Sequence, residues 1–198
     1  MYKCFFKRFF DIIIALLFLP FILFVFVVIA PIIYFTDKGP VFYNAKRAGK
    51  RAKPFKMFKF RSMYVNSPDL RNADGSTYNG EDDPRVTRIG KILRKTSLDE
   101  LPQLLNVLLG DMSFVGPRPT LATKTWDELD DVRKKRASIR PGITGYSQAY
   151  YRNSITQDEK FAYDAYYVEH MSLWLDVKIL LQTVISVIKR DHIFVQQK

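Results

Sequence analysis

The stretch Ile12-Ile-Ile-Ala-Leu-Leu-Phe-Leu-Pro20-Phe-Ile-Leu-Phe-Val-Phe-Val-Val-Ile-Ala30-Pro-Ile-Ile-Tyr-Phe35 decides the architecture of this 198-residue chain. Its 24 residues carry no charge and are apolar apart from Pro20 and Pro31. As a helix they extend about 36 Å, enough for a hydrocarbon core of roughly 30 Å. The run exceeds a typical signal-peptide core, and no small-residue cleavage site follows it. Lys3, Lys7 and Arg8 precede it; Lys46, Arg47, Lys50, Arg51, Lys53, Lys56, Lys59 and Arg61 follow, with no acid among residues 46–61. Both flanks therefore carry the charge of a cytoplasmic side. Pro20 removes a helix hydrogen bond in the first half of the run. Charge and proline together fit a helix that enters the membrane, bends near Leu19-Pro20 and returns to the same face. A single crossing and a buried soluble helix also satisfy the length.

Beyond Phe35 the composition is that of one soluble unit. Lys+Arg 31 against Asp+Glu 20 gives a net charge of +11, which calls for an anionic partner: nucleic acid, an acidic membrane surface or a phosphorylated substrate. Apolar residues at 47% exclude a disordered basic tail. One cysteine excludes an intramolecular disulfide framework, and with two histidines no zinc-type cluster exists, so any metal sits on oxygen ligands.

Phe55 to Arg61 alternates apolar and basic residues and reads as a short strand or interfacial segment. Asn66 to Asp83 is punctuated by Ser67-Pro68, Asp74-Gly75 and Asn79-Gly80 and reads as loop. Within it Asn72-Ala-Asp74-Gly75 with Glu81 matches part of a calcium loop, but Leu70 falls at the first ligand position. Short helices are expected at Ile89–Arg94 and Leu101–Leu109, and a charged, solvated one at Trp126–Ala137. Leu173–Lys189 has helical spacing with one apolar face, suited to a core or to a membrane surface.

Ser97-Leu-Asp-Glu100 has the spacing of a capping box and places Asp99 and Glu100 at a helix amino terminus, where backbone N–H groups favour anions. An ionised carboxylate there can serve as a nucleophile toward phosphorus; it equally suits a plain helix start. Arg94 lies just upstream, Gly116-Pro-Arg118-Pro119 holds an arginine on a stiff loop, and Arg140-Pro141-Gly142 pairs another with a type II turn. Basic-aromatic interleaving from Phe55 to Arg61 suits nucleic-acid bases in isolation; beside a membrane run it suits lipid headgroups or a lipid-linked substrate.

The segment from Asp82 to Pro119, together with Lys59-Phe-Arg-Ser-Met63, Arg140-Pro-Gly-Ile-Thr-Gly145, Lys160-Phe-Ala-Tyr-Asp164 and Leu175-Asp-Val-Lys178, resembles the bacterial sugar transferases, the monotopic phosphoglycosyl transferases. The resemblance extends to the Lys7-Arg8-x-x-Asp11 lead-in and covers nearly the whole chain, with the length of the small class. It implies an α+β, mainly helical fold: a re-entrant membrane helix over residues 1–37 and a cytoplasmic catalytic domain over 38–198 with amphipathic interfacial helices. It implies an enzyme at the cytoplasmic face of the bacterial inner membrane, working by a ping-pong reaction. Asp99 attacks the β-phosphate of a UDP-sugar, UMP leaves, and polyprenyl phosphate collects the phosphosugar, the first membrane step of glycan assembly. Mg²⁺ is the implied cofactor on Asp99 and Glu100, with Glu100 as ligand or as activator of the acceptor. Lys59 and Arg61 are expected at the acceptor phosphate, Arg94 and Arg118 at phosphates, and Arg140, Pro141, Gly142 and Arg152 at the nucleotide or phosphate site. Implied partners are membrane lipids and downstream glycosyltransferases, and nucleic acid drops away. Ala45, Tyr151 and Leu19 depart from the residues common in the family at those positions. The competing reading is a membrane-anchored basic scaffold without catalysis, resting on the Lys46–Arg61 run.

Overall fold

The computed structural model describes residues 2–70, 78, 80, 82–152 and 154–189, and the calcium-like Asn72–Glu81 pattern lies outside them. A π-helical turn, Tyr2–Phe6, leads into α1, Lys7–Asp37. The bend expected at Leu19-Pro20 falls inside α1, which is helical from end to end with Pro20 and Pro31 within it. Its buried positions Lys7, Asp11, Ala15, Ile22, Val25, Ile29 and Ile33 form a stripe along one side. Ala15 and Ile22 pack with Met57, Leu104, Val107 and Met112, and Val25, Ile29 and Ile33 pack with Phe60 and Leu93. The other side, including Leu16, Leu17, Phe18, Phe21, Phe24, Val27 and Phe35, is exposed. So large an apolar surface on a folded chain marks a face that meets lipid or a partner.

Both ends of α1 are fastened to the same globular part. At the start, Lys7 Nζ lies 2.5 Å from Asp176 Oδ2, and Asp11 accepts bonds from Ser113 Oγ at 3.1 Å and the Phe114 N–H at 3.0 Å. At the end, Asp37 takes both Nη groups of Arg61, each at 2.5 Å. Lys38, left-handed at φ 53°, closes the helix by donating to the Tyr34 carbonyl.

Strands β1 (Ala45–Ala48) and β2 (Pro54–Met57) pair antiparallel. They are followed, after the long loop, by α2 (Arg88–Thr96), capped by Thr87 Oγ1 on the Gly90 N–H. Gly90 is required by proximity: a Cβ there would lie 1.9 Å from the Ser62 carbonyl oxygen. Then come α3 (Gln103–Leu109), β3 (Ser113–Val115) and α4 (Asp131–Ala137). The charged helix expected from Trp126 starts only at Asp131, where Asp130 caps the Arg133 N–H. It is not wholly solvated, because Arg136 is buried.

Strand β4 (Gly142–Thr144) pairs parallel with β3. Three helices complete the chain: α5 (Tyr146–Tyr150), α6 (Gln157–His170) and α7 (Leu173–Lys189). Val115, Ala149, Tyr167, Met171 and Ile179 form the core between β3 and these helices. On α7, Asp176, Ile179 and Ser186 face inward, whereas Leu173, Trp174, Leu181, Val184, Ile185 and Ile188 are exposed. The apolar face thus belongs mainly to the surface. The fold is mainly helical with short strand pairs, behind an amino-terminal apolar helix.

Candidate active site

Leu98–Glu100 forms a single 3-10 turn between α2 and α3. The expected capping box is absent. Ser97 stands in the left-handed conformation at φ 57° and closes α2 by donating its N–H to Arg94, so its side chain caps nothing. Pro102 then delays α3 to Gln103, leaving Asp99 and Glu100 on the turn ahead of it.

The Phe60 N–H donates to the Asp99 carbonyl at 2.9 Å, clamping the segment after β2 alongside the turn. This clamp brings Lys59 Nζ to 2.8 Å from Asp99 Oδ2 and 3.5 Å from Glu100 Oε1. Arg118 reaches the same Glu100 oxygen, Oε1, at 3.3 Å. Arg94, at the end of α2, is oriented by donation to Ser62 Oγ at 3.0 Å. Burial pushes the Asp99 carboxyl above the usual range, with Lys59 opposing the rise. Burial acts on Glu100 too, but Arg118 and Lys59 outweigh it and hold that carboxyl below its ordinary value. Two adjacent carboxylates therefore differ in basicity, the more basic being Asp99.

These groups line a cleft of about 1430 Å³ that also includes Arg152, Gln157 and Lys160. That volume exceeds the range of roughly 300–1,000 Å³ usual for small-ligand sites. Among the described residues no third His, Cys, Asp or Glu joins Asp99 and Glu100 as a metal cluster. Mg²⁺ commonly takes only one or two carboxylates and completes its shell with water and substrate phosphate, so this pair suits that ion.

The structure separates the arginines that the sequence treats alike. Arg118, between Pro117 and Pro119, is at the cleft; its carbonyl accepts a bond from the buried Arg136. Arg136 is in turn held by Asp164 Oδ2 at 2.8 Å, and Ser147 Oγ donates to Asp164 Oδ1 at 2.7 Å. Arg152 lines the cleft with a left-handed backbone at φ 46°.

Arg61, expected at an acceptor phosphate, has every N–H engaged: by Asp37 and by the carbonyls of Ile33, Pro40 and Met63. It has no donor left for a phosphate. Arg140 does not line the Asp99 cleft. Its Nε donates to the Gly110 carbonyl at 2.7 Å, behind α3, and it lines a different, smaller cavity. The Pro141-Gly142 type II turn is also absent. Gly142 is a strand residue of β4 without positive φ, and is glycine because a Cβ would meet the Gly116 nitrogen at 2.1 Å. Pro141 and Gly142 are buried framework along the cleft wall, and the Pro141 carbonyl accepts the Ser113 N–H. Ser62, Arg136, Asp164 and Ser147 escaped the sequence reading as site residues. Ser62 and Asp164 had a visible sign, their places in the Lys59–Met63 and Lys160–Asp164 segments; Arg136 and Ser147 had none.

Comparison with known proteins gives the same assignment throughout the chain. The model of the family described as bacterial sugar transferase matches residues 2–190. The undecaprenyl-phosphate galactose phosphotransferase of Salmonella typhimurium is 38% identical over 204 residues, covering 94% of this chain and 41% of that protein. The UDP-glucose:undecaprenyl-phosphate glucose-1-phosphate transferase of Klebsiella pneumoniae is 41% identical over 186 residues, covering 90% and 39%. The exopolysaccharide production protein ExoY of Sinorhizobium fredii is 38% identical over 195 residues, covering 91% and 84%. The chain thus spans about two-fifths of the length of the first two relatives and most of the third. With a family match from residue 2 to residue 190, the chain belongs to the bacterial sugar transferase family.

Proposed function

We propose that this protein moves a hexose 1-phosphate from a UDP-sugar to polyprenyl phosphate at a membrane surface, through a covalent intermediate on Asp99. The observation that carries the reading is the buried Asp99 carboxylate, gripped on one oxygen by Lys59 and flanked by Glu100, inside a cleft rimmed by Arg94 and Arg118. Burial makes the Asp99 carboxylate a stronger base than a solvated one, and Lys59, bonded to Oδ2, opposes that rise and favours the ionised form while leaving Oδ1 for attack. In the first step Asp99 Oδ1 bonds to the β-phosphorus, the bond from that phosphorus to the bridging oxygen breaks, and UMP departs with the oxygen. In the second, a phosphate oxygen of the polyprenyl acceptor attacks the same phosphorus and the Asp99 carboxylate is released.

Arg118 and Arg94 supply fixed positive charge toward the diphosphate, a role in which preorganised cations act without reorganising. Glu100 and Asp99 would hold Mg²⁺, which when bound offsets the charge of the diphosphate. The names of similarly related proteins specify galactose in one case and glucose in another, so the proposal stops at the hexose class.

In this reading α1 does not cross the bilayer. It lies with its exposed Phe- and Leu-rich side in one leaflet, beside the apolar face of α7, and the cleft opens at the cytoplasmic face. Support comes from the fastening of both α1 ends to one globular part, through Lys7–Asp176 and Asp37–Arg61. Thiol accessibility after Tyr2→Cys and Lys38→Cys, each in a Cys4→Ser background, tests the topology: labelling from the same side is expected, and opposite sides would contradict it. The reaction is tested by supplying membranes bearing the protein with UDP-galactose, UDP-glucose and their N-acetylated analogues, with polyprenyl phosphate and Mg²⁺. UMP release that depends on the acceptor for multiple turnovers is expected; no UMP from any of them removes the transferase reading.

A further inference from the structure

At the start of α1 lies a second cavity, of about 50 Å³, that Asp99 does not line. That is several times the roughly 10–15 Å³ one water needs, and too small for a nucleotide. Its lining includes five cations, Lys3, Lys7, Arg8, Lys50 and Arg140, and one carboxylate, Asp11.

The local structure accounts for part of this charge. Lys7 is neutralised by Asp176, Lys3 donates to the carbonyls of Val168 and Glu169, and Arg8 donates to those of Val107 and Leu108. Arg140 uses Nε on the Gly110 carbonyl. Arg8 and Arg140 thus converge on the carboxyl end of α3, where carbonyls favour cations, yet they stand close enough to repel each other. Asp11, the carboxylate of the lining, already accepts bonds from Ser113 and Phe114. The two Nη groups of Arg140 and the ammonium of Lys50 have no protein partner among the described residues. Cations therefore outnumber acids around a small concave space, and arginine Nη pairs suit phosphate oxygens.

The position says where such an anion comes from. The cavity sits at the foot of α1, on residues 3, 7, 8 and 11. The exposed apolar surface of Phe5, Phe9, Ile12, Ile13 and Leu16 begins at the same height along the helix. In the membrane orientation proposed above, in which the exposed side of α1 lies in one leaflet, a phosphate in this cavity would be at the level where headgroups meet acyl chains. Basic pockets beside membrane helices hold acidic headgroups in this way.

We propose that this cavity is a second anion site, separate from the Asp99 cleft, which takes the headgroup phosphate of an anionic membrane lipid on Arg140 and Lys50. It accounts for an arginine that the sequence places with the nucleotide and the structure places elsewhere. The proposal rests on the membrane orientation of α1 given above and is independent of the transferase chemistry.

The test uses the full-length protein in detergent micelles, with added phosphatidylglycerol, phosphatidylcholine or millimolar inorganic phosphate. Readouts are the thermal midpoint and the lipid retained in native mass spectrometry. For wild type, phosphatidylglycerol should raise the midpoint more than phosphatidylcholine and leave one anionic lipid bound per chain. The Lys50→Gln/Arg140→Gln variant should lose at least half of that shift and the retained lipid. Lys46→Gln/Lys53→Gln, exposed lysines outside the cavity, should keep both. Should Arg140→Gln prevent folding, Lys3→Gln/Lys50→Gln, at two exposed positions, serves instead. A shift from inorganic phosphate that matches the lipid's and vanishes in the cavity variant supports the phosphate site and makes its source soluble phosphate. No preference for the anionic lipid, or a preference equal in the cavity variant and wild type, overturns the proposal.

Discussion

Replacing Arg61 by Met distinguishes an arginine that holds the fold from one that holds a substrate. Each guanidinium N–H is already engaged, two of them by Asp37 at 2.5 Å. Arg61→Met leaves the Asp37 carboxylate with only the backbone N–H groups of Gly39 and Val65. The Arg61 side chain is 7% exposed and that of Asp37 18%. Removing one partner from a buried ion pair costs about 3–5 kcal/mol, and the partial exposure of Asp37 places this pair near the lower end, about 3 kcal/mol. For a chain of this size that corresponds to a fall of about 6–12 °C in thermal midpoint. Thermal unfolding in micelles measures it, in a double-mutant cycle with Asp37→Leu. The double variant should lose less than the sum of the singles, because removing both charges leaves none unpaired. An unchanged midpoint in Arg61→Met with a raised KM for polyprenyl phosphate would refute the reasoning and return Arg61 to the acceptor.

Three further expectations follow from the site. Lys59→Met should lower kcat/KM by about 10²-fold or more, and should move the acidic limb of the pH–rate profile upward, since Lys59 opposes the burial that raises Asp99; a limb that stays in place would disconnect Lys59 from Asp99. Because the folded Asp99 carboxyl titrates above its unfolded value, its stabilising contribution is present at low pH and lost as pH rises through the folded pKa, each pH unit in that window being worth about 1.4 kcal/mol. Asp99→Asn should accordingly unfold at a higher temperature than wild type at neutral pH, and a lower midpoint would contradict the burial argument. Arg136→Met, which frees the Arg118 carbonyl, should cut kcat/KM about tenfold in wild type and have no further effect on activity in an Arg118→Ala background, while its loss of stability persists in both; equal activity losses in the two backgrounds would show that Arg136 acts elsewhere.

Much of the helical framework is legible where periodicity is local. Leu173–Lys189 is found at its expected bounds, and the apolar run is contained in α1. The helix extends beyond the run to Lys7 and Asp37 because those charges have partners in distant segments, Asp176 and Arg61, which no local pattern reveals. Capping signals show both outcomes. Ser97-x-x-Glu100 matches the pattern and fails because Ser97 is already the left-handed end of α2. Thr156-x-x-Glu159 forms a complete box and starts α6, a helix whose weak apolar periodicity hid it. Strands β3 and β4 are three residues each and exist through their mutual pairing, so their sequences carry little signal alone.

Within the site, residue type and position point to Asp99, Glu100, Arg94 and Arg118, the family resemblance adds Lys59 at the acceptor phosphate, and the structure brings the five together with Lys59 on Asp99 and Glu100. Type alone does not say which way an arginine faces. Arg118 and Arg140 both sit on proline-bearing segments, yet one reaches Glu100 and the other the back of α3. The supporting contacts, Ser62 on the Arg94 side chain, Arg136 on the Arg118 carbonyl and Asp164 on Arg136, span sequence distances of 18 to 32 residues, visible only once the chain is folded.

In the proposed reaction Asp99 becomes covalently bonded to the phosphosugar. The direct measurement is the intact mass of the protein after brief exposure to a UDP-sugar and Mg²⁺ without polyprenyl phosphate, followed by acid quenching and peptide mapping. An added hexose phosphate is expected on the peptide containing Asp99, with one equivalent of UMP released per protein, loss of the adduct when polyprenyl phosphate is supplied, and no adduct in Asp99→Asn. Acceptor-dependent turnover with no adduct, or an adduct that persists in Asp99→Asn, would contradict that reaction.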